Sequence, residues 1–299
     1  MPGLLDAAIV RALPLLPKPV VWKVARRYIA GTRREDALAT VARLNAAGLV
    51  ATVDLLGEHA ADGAEADGAV EEYREVLREI ARRALRSNIS VKLTHFGLKI
   101  DPGGCERRMR GLLEEAARVG NFVRIDMEDS SCTDATLALY RRLRGDFENV
   151  GPVLQAYLRR THEDARALLE GPSLNLRLCK GIYREPPGIA LQAREEINRN
   201  FLRVLEELLR GGATVGCATH DEPLADEALA MVARLGVPKE RFECQMLLGV
   251  AEALRDRLAR GDRRVRIYIP YGSQWYAYSI RRLRENPRIA RYVMRALFA

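Results

Sequence analysis

Eight short runs of strand-forming residues, each followed by a stretch with helical spacing, constrain this chain more than any other feature. The runs are Ala51–Gly57, Ile89–Phe96, Phe122–Glu128, Pro152–Leu158, Leu174–Lys180, Thr214–His220, Phe242–Leu248 and Val265–Pro270. Helical segments are predicted over Glu35–Ala47 and then over 69–86, 105–119, 133–144, 161–170, 189–210, 222–235 and 250–259. Thr133, Thr161 and Asp221 stand where N-caps are expected. Strict alternation of strand and helix calls for a parallel sheet. The 299 residues suit either two small domains or one barrel. Eight units decide for an α/β fold closed into a (β/α)8 barrel. No Gly-x-Gly-x-x-Gly and no Walker loop speaks for a doubly wound nucleotide-binding sheet.

The two ends depart from the pattern. Residues 1–35 form an N-terminal helical arm, with short helices over Ala7–Leu16 and Val20–Ile29 separated by Pro14, Pro17 and Pro19; the barrel domain takes 36–299. Trp22 beside Lys23, Arg26 and Arg27 offers two readings, an arm packed on the barrel or an arm touching a membrane. After the last strand a helix over Gln274–Glu285 carries Gln274, Tyr278, Arg281, Arg282 and Glu285 in one stripe. A helix that merely covers a barrel should show an apolar stripe alone. A final helix is predicted over 288–298.

Strand periodicity then sorts side chains by face. In Leu174–Tyr183, Leu174, Leu176 and Leu178 alternate with Asn175, Arg177 and Cys179 before Lys180 and Gly181. The other strands repeat the pattern: Asp54, Lys92, Asp126, Gln155, Gln245 and Tyr268 each oppose apolar neighbours. The outer faces of barrel strands meet apolar helices, so this polar set must point inward, where branched apolar residues usually sit. A buried ion-pair network without a ligand is poor value for stability. Polar groups converging at the carboxyl ends of barrel strands point instead to a site. Arg281, Arg282 and Lys92 make a cationic clamp suited to carboxylate or phosphate. Arg177, Lys180, Gln155, Thr219 and His220 would serve a second, larger polar ligand.

Composition narrows the partners. The formal net charge is +8, which fits an anionic ligand or an acidic membrane surface. No Lys/Arg block interleaved with aromatics is present, so nucleic acid is not expected. The five cysteines are odd in number and scattered, which suits reduced thiols in a cytoplasm rather than disulfides or zinc. The four histidines are too dispersed for a metal cluster. The opening Met-Pro-Gly-Leu-Leu-Asp lacks the basic start of a signal peptide.

Taken together and in order, several stretches resemble the proline dehydrogenase family, in its bacterial monofunctional form, over residues from about 36 to 290. They are Val91-Lys92-Leu93, Arg124–Glu128, Leu154–Tyr157, Arg177–Tyr183, Ala218-Thr219-His220, Phe242–Gly249 and Tyr278–Asn286. The resemblance implies a distorted barrel whose eighth helix caps the mouth, FAD as cofactor and L-proline as substrate. The reaction it implies is oxidation to Δ1-pyrroline-5-carboxylate, the first step of proline catabolism to glutamate, with electrons passed to a quinone. It implies that Arg281, Arg282 and Lys92 grip the proline carboxylate, that Tyr268 and Tyr278 line the ring, and that Glu285 ties the arginines. Asp126 and Arg177 would be the catalytic charged pair. Met127, Gln155, Arg177, Lys180, Gly181, Ile182, Thr219 and His220 would contact FAD. Ile182 stands where members often carry Ala, and Arg184 where they carry another residue. Two other readings are a Schiff-base aldolase or lyase using Lys92 or Lys180, and a non-catalytic basic protein binding nucleic acid or anionic lipid. The second leaves the inward polar ring without a purpose.

Overall fold

The computed structural model describes residues 18–261 and 263–285, with the side chains of Val20, Val24 and 281–285 outside that description. All eight expected strands are present: β1 (Val50–Leu55), β2 (Ser87–Val91), β3 (Val123–Ile125), β4 (Val150–Gln155), β5 (Asn175–Cys179), β6 (Thr214–Ala218), β7 (Phe242–Leu247) and β8 (Arg264–Tyr271). They pair in sequence order, all parallel, and β8 closes on β1. Val53, Ile89, Val91, Ile125, Leu176, Leu178 and Ile269 are fully buried against the surrounding helices. Burying such side chains is worth roughly 1.5–3 kcal/mol each, and that holds the two layers together.

Helix α1 (Lys18–Ala25) precedes the barrel, and α2 (Arg34–Ala46) leads into β1. The connecting helices are α3 (Gly63–Arg82), α4 (Pro102–Arg118), α5 (Ser130–Asp146), α6 (Thr161–Leu169), α7 (Arg194–Arg210), α8 (Glu222–Arg234) and α9 (Glu252–Ala259). Helix α10 (Trp275–Glu285) follows β8. The expected helices over Ala7–Leu16 and 288–298 lie outside the described residues.

The strands end earlier than their apolar runs. The run Ile89–Phe96 continues past Val91, yet 93–100 is a chain of turns, with His95 N–H donating to Lys92 O at 3.1 Å and Phe96 N–H to Leu93 O at 3.0 Å. Leu93 and Phe96 are both fully buried, so the sequence stays apolar while its period changes from two to three. Helix starts were also misplaced by the sequence. Asp62, Asp101 and Asp129 cap α3, α4 and α5, accepting from Glu65 N, Gly104 N and Ser131 N. Thr133 is therefore not a cap but lies inside α5, whose start is held further by Glu185 accepting from Ser130 N and Oγ at 2.7 Å each. Thr161 is the first residue of α6 rather than its cap, its hydroxyl turned back to Gln155 O. Asp221 does precede α8, but its carboxylate makes no cap bond and faces Lys180 and Arg194 instead.

Helix α10 does not flank β8 in the manner of the other helices. It packs on α1, with the Trp22 and Trp275 rings 4.7 Å apart, edge to face. This brings Tyr278 over the carboxyl ends of the strands.

Candidate active site

The polar residues that periodicity turned inward meet in one hydrogen-bonded cluster. Lys92 Nζ donates to Asp54 Oδ1 at 2.6 Å and lies 3.9 Å from Asp126 Oδ2. Asp126 accepts from Arg177 Nη1 at 2.7 Å, from the Ser90 hydroxyl at 2.6 Å and from the Tyr268 hydroxyl at 2.6 Å. Arg177 lies over the Tyr268 ring, 5.0 Å from its centroid, and its Nε donates to Gln245 Oε1 at 2.5 Å. The residues come from six strands or their ends, so closure of the barrel, not local sequence, assembles the cluster.

The two acids facing Lys92 have opposite titration behaviour. Burial pushes the Asp54 carboxyl up to about 6; the Lys92 ammonium opposes this and Asp126 adds to it. Burial also acts on Asp126, but Arg177 and Lys92 outweigh it and hold that carboxyl below its ordinary value. Burial opposes the Lys92 ammonium, yet Asp54 and Asp126 raise its pKa above the usual lysine value. Asp126 is therefore the permanent anion of the site. Burial, followed by the neighbouring Asp126 charge, keeps the Tyr268 phenol protonated far above its usual range.

Above the cluster opens a cavity of about 410 Å³. Its wall includes Lys92, Asp126, Met127, Gln155, Arg177, Lys180, Gly181, Ile182, Thr219, His220, Tyr268 and Tyr278. Every expected cofactor residue thus shares one wall with the expected charged pair. Val153, Met246 and Leu247 add to a wall whose exposed surface is largely apolar although many of its residues carry polar groups. A second cavity of about 180 Å³ lies between Leu56-Gly57-Glu58 and α10 and shares Lys92 and Tyr278. Arg281, Arg282 and Glu285 fall on the last turns of α10; their side chains lie outside the described residues.

Three features bear on a bound flavin. Gly181 has φ +101°, and a Cβ there would come within 2.1 Å of the Tyr157 ring, so only glycine fits; its backbone is part of the cavity wall. Gln155 donates to Met127 O at 3.3 Å but its buried Oε1 has no partner among the described residues. Arg177 Nη2 likewise has no hydrogen bond among them. These atoms and the apolar walls fit a planar, hydrogen-bonding ring system. Lys180 is less available, because Asp221 pairs with it and also receives Arg194 at 2.9 Å and Asn198 at 3.2 Å.

The sequence reading missed a second polar layer beneath the first. Arg124 donates to Asn175 O and Oδ1 at 2.6 Å each and to Pro152 O at 3.1 Å. Arg266 grips Glu243 through Nε at 2.6 Å and Nη2 at 3.1 Å, and reaches Ala51 O at 2.6 Å. Each cation or acid stands two residues before a residue that was recognised: Arg124 before Asp126, Glu243 before Gln245, Arg266 before Tyr268. The same period of two would have found them.

A parallel barrel carrying a fixed ionic cluster and a ligand-sized cavity at the carboxyl ends of its strands is a (β/α)8-barrel enzyme. The profile of the family described as proline dehydrogenase matches residues 37–295. The chain is 38% identical over 273 residues to proline dehydrogenase 1 of Bacillus subtilis, covering 91% of this chain and 90% of that one. It is 34% identical over 287 residues to the proline dehydrogenase of Deinococcus radiodurans, covering 94% and 92%. The crystal structure of proline utilization A from Bdellovibrio bacteriovorus, inactivated by N-propargylglycine, superposes with a TM-score of 0.85 at 25% identity, covering 93% of this chain and 36% of that one. The chain belongs to the proline dehydrogenase family.

Proposed function

We propose that this chain is an FAD-dependent enzyme that oxidises L-proline to Δ1-pyrroline-5-carboxylate and passes the electrons to a quinone. The observation that carries the reading is the Asp126–Arg177–Tyr268 cluster at the base of a largely apolar mouth cavity. Bound flavin would supply the hydride acceptor for proline C5. Met127, Gln155, Lys180-Gly181-Ile182 and Thr219-His220 hold the cofactor in this reading, with Arg177 Nη2 donating to its ring. Lys92, Arg281 and Arg282 take the proline carboxylate, with Glu285 tying the arginines. Lys92 has three N–H donors and spends one on Asp54. Tyr268 and Tyr278 form the walls against the pyrrolidine ring and exclude water. Asp126 balances the cations and keeps Arg177 from following the substrate carboxylate. Peripheral membrane contact through the N-terminal arm would bring the mouth near a quinone; among the described residues no helix is long and apolar enough to cross a membrane.

An anaerobic visible spectrum of the purified protein, taken before and after adding L-proline, tests the proposal. A yellow protein that bleaches is expected. A colourless protein that does not take up FAD removes the cofactor from the proposal, and a yellow one that proline leaves unchanged removes the substrate.

A further inference from the structure

The Arg177 guanidinium is held at two of its three nitrogens. Nη1 meets Asp126 Oδ1 at 2.7 Å and Nε meets Gln245 Oε1 at 2.5 Å. That leaves Nη2 as the nitrogen for a ligand in a side chain that lines the mouth cavity. Asp126 and the longer contact to the Ser90 hydroxyl at 3.4 Å both meet the same nitrogen, Nη1, so together they leave the fork free to pivot about it. The second contact comes from an amide, and an amide can turn over and present N–H₂ where its oxygen was.

Here it cannot turn over. Gln245 Nε2 donates to Glu243 Oε1 at 2.6 Å. Glu243 is kept ionised: burial opposes the charge, but Arg266 outweighs it and holds the carboxyl below its ordinary value. An ionised carboxylate only accepts, so it selects the N–H₂ side of the amide. The flipped amide would set oxygen against carboxylate and N–H₂ against guanidinium, two repulsions in a buried place. Glu243 is fixed in turn by both contacts from Arg266, which is anchored on Ala51 O at 2.6 Å and Asn88 Oδ1 at 3.2 Å. The neighbouring strand leaves room for the amide: at Gly216 a Cβ would fall 2.2 Å from Gln245 Nε2.

We propose that Gln245 and Glu243 are positioning residues for Arg177, a directional chain from the lower polar layer that sets the guanidinium plane and aims Nη2 into the cavity. The inference rests on the reading of Arg177 as the group that donates to the flavin ring, and goes beyond it by assigning what aims that donor.

The test uses holoenzyme of Gln245→Met, Glu243→Gln, Arg177→Met and the double variant Arg177→Met/Gln245→Met. Readouts are kcat per bound flavin, KM for proline, the visible absorption band of the bound flavin and the dissociation constant for FAD. Gln245→Met should lower kcat about tenfold with KM changed less than about threefold, and shift the flavin band in the same direction as Arg177→Met. Glu243→Gln keeps size and shape but loses the selecting charge and with it the counter-charge of Arg266, so it should move the same readouts by about threefold. The double variant should be no worse than Arg177→Met alone, because both changes remove one device. Losses that multiply in the double variant overturn the inference. So does a Gln245→Met or Glu243→Gln protein with normal kcat per flavin and an unshifted band, whatever its thermal stability, when Arg177→Met is impaired. If Arg177→Met itself leaves kcat, FAD affinity and band unchanged, the role given to Arg177 falls first and the inference with it.

Discussion

The barrel interior holds two polar layers, and they border cavities of similar size, about 410 Å³ at the mouth and about 490 Å³ at the opposite end. Volume therefore does not say which is the site. Chemistry does. The lining of the lower cavity includes Arg86, Asn88, Arg124, Asn175, Glu243 and Arg266, and most of their polar groups bond to one another or to backbone carbonyls, Arg124 Nε being buried without a partner among the described residues. The mouth offers an apolar wall beside convergent polar side chains, among them Gln155, whose Oε1 is buried without a partner among the described residues. The lower layer is a clamp that joins strands. The upper layer is held ready for something else, and the lower one supports it from beneath through Gln245.

The largest expected effect tests the upper layer. Asp126 takes hydrogen bonds from three residues and is the counter-charge of two cations. Asp126→Asn leaves Arg177 and Lys92 without that charge in a buried site, a change worth about 3–5 kcal/mol. Expressed as kcat/KM for proline, this is a fall on the order of 10²–10⁴, read by steady-state kinetics at saturating flavin. A variant within threefold of the wild type would erase the distinction between the layers.

The next effect should appear in stability and not in kinetics. Arg124 ties β3 to β4 and β5 through carbonyls, and burial together with nearby Arg177 lowers its pKa to about 9. Arg124→Met orphans the Pro152 and Asn175 carbonyls but also removes a costly buried charge. The net loss should be about 1–3 kcal/mol, measured as a lower urea midpoint, with kcat/KM within about threefold. A large kinetic defect at unchanged stability would place Arg124 in the site.

How far the sequence led can be judged from neighbouring residues. Asp126 and Tyr268 were legible because a charged or phenolic side chain between apolar ones has only one face to choose once a barrel is assumed. Arg124 and Arg266 carry the same signal two positions earlier, but they lie toward the amino ends of the strands, where no site is sought. Helix starts were obscured because Glu-Asp-Ser-Ser-Cys-Thr offers several caps in a row, and a distant loop residue, Glu185, helps decide among them. Ser90 could not be read at all: a serine between Ile89 and Val91 looks like strand filler until Asp126 is placed opposite it. The roles of Arg281, Arg282 and Glu285 rest on resemblance and on their shared stripe along α10.

The smallest effect separates the two acids of the upper layer from each other. With the carboxyl of Asp54 raised to about 6 by burial, its contribution to stability is fully present below the unfolded value near 3.8 and is lost as pH rises through about 6. Asp126, held below its ordinary value, behaves in the opposite sense: its contribution is present above that value and is lost only in stronger acid. Between pH 7 and pH 5 Asp54 should therefore gain the fold about 1 kcal/mol while Asp126 changes little. His95 complicates a direct reading. Burial and Lys92 push it down to about 4, so its contribution falls over the same interval as the unfolded chain takes up protons. The difference between wild type and Asp54→Asn cancels His95 and isolates the term. Urea midpoints at pH 7 and pH 5 should show the wild type gaining on the variant by about that amount in acid. Equal shifts in both proteins would mean that Asp54 is an ordinary ion-pair partner of Lys92, and that the upper layer is as fully spent as the lower one.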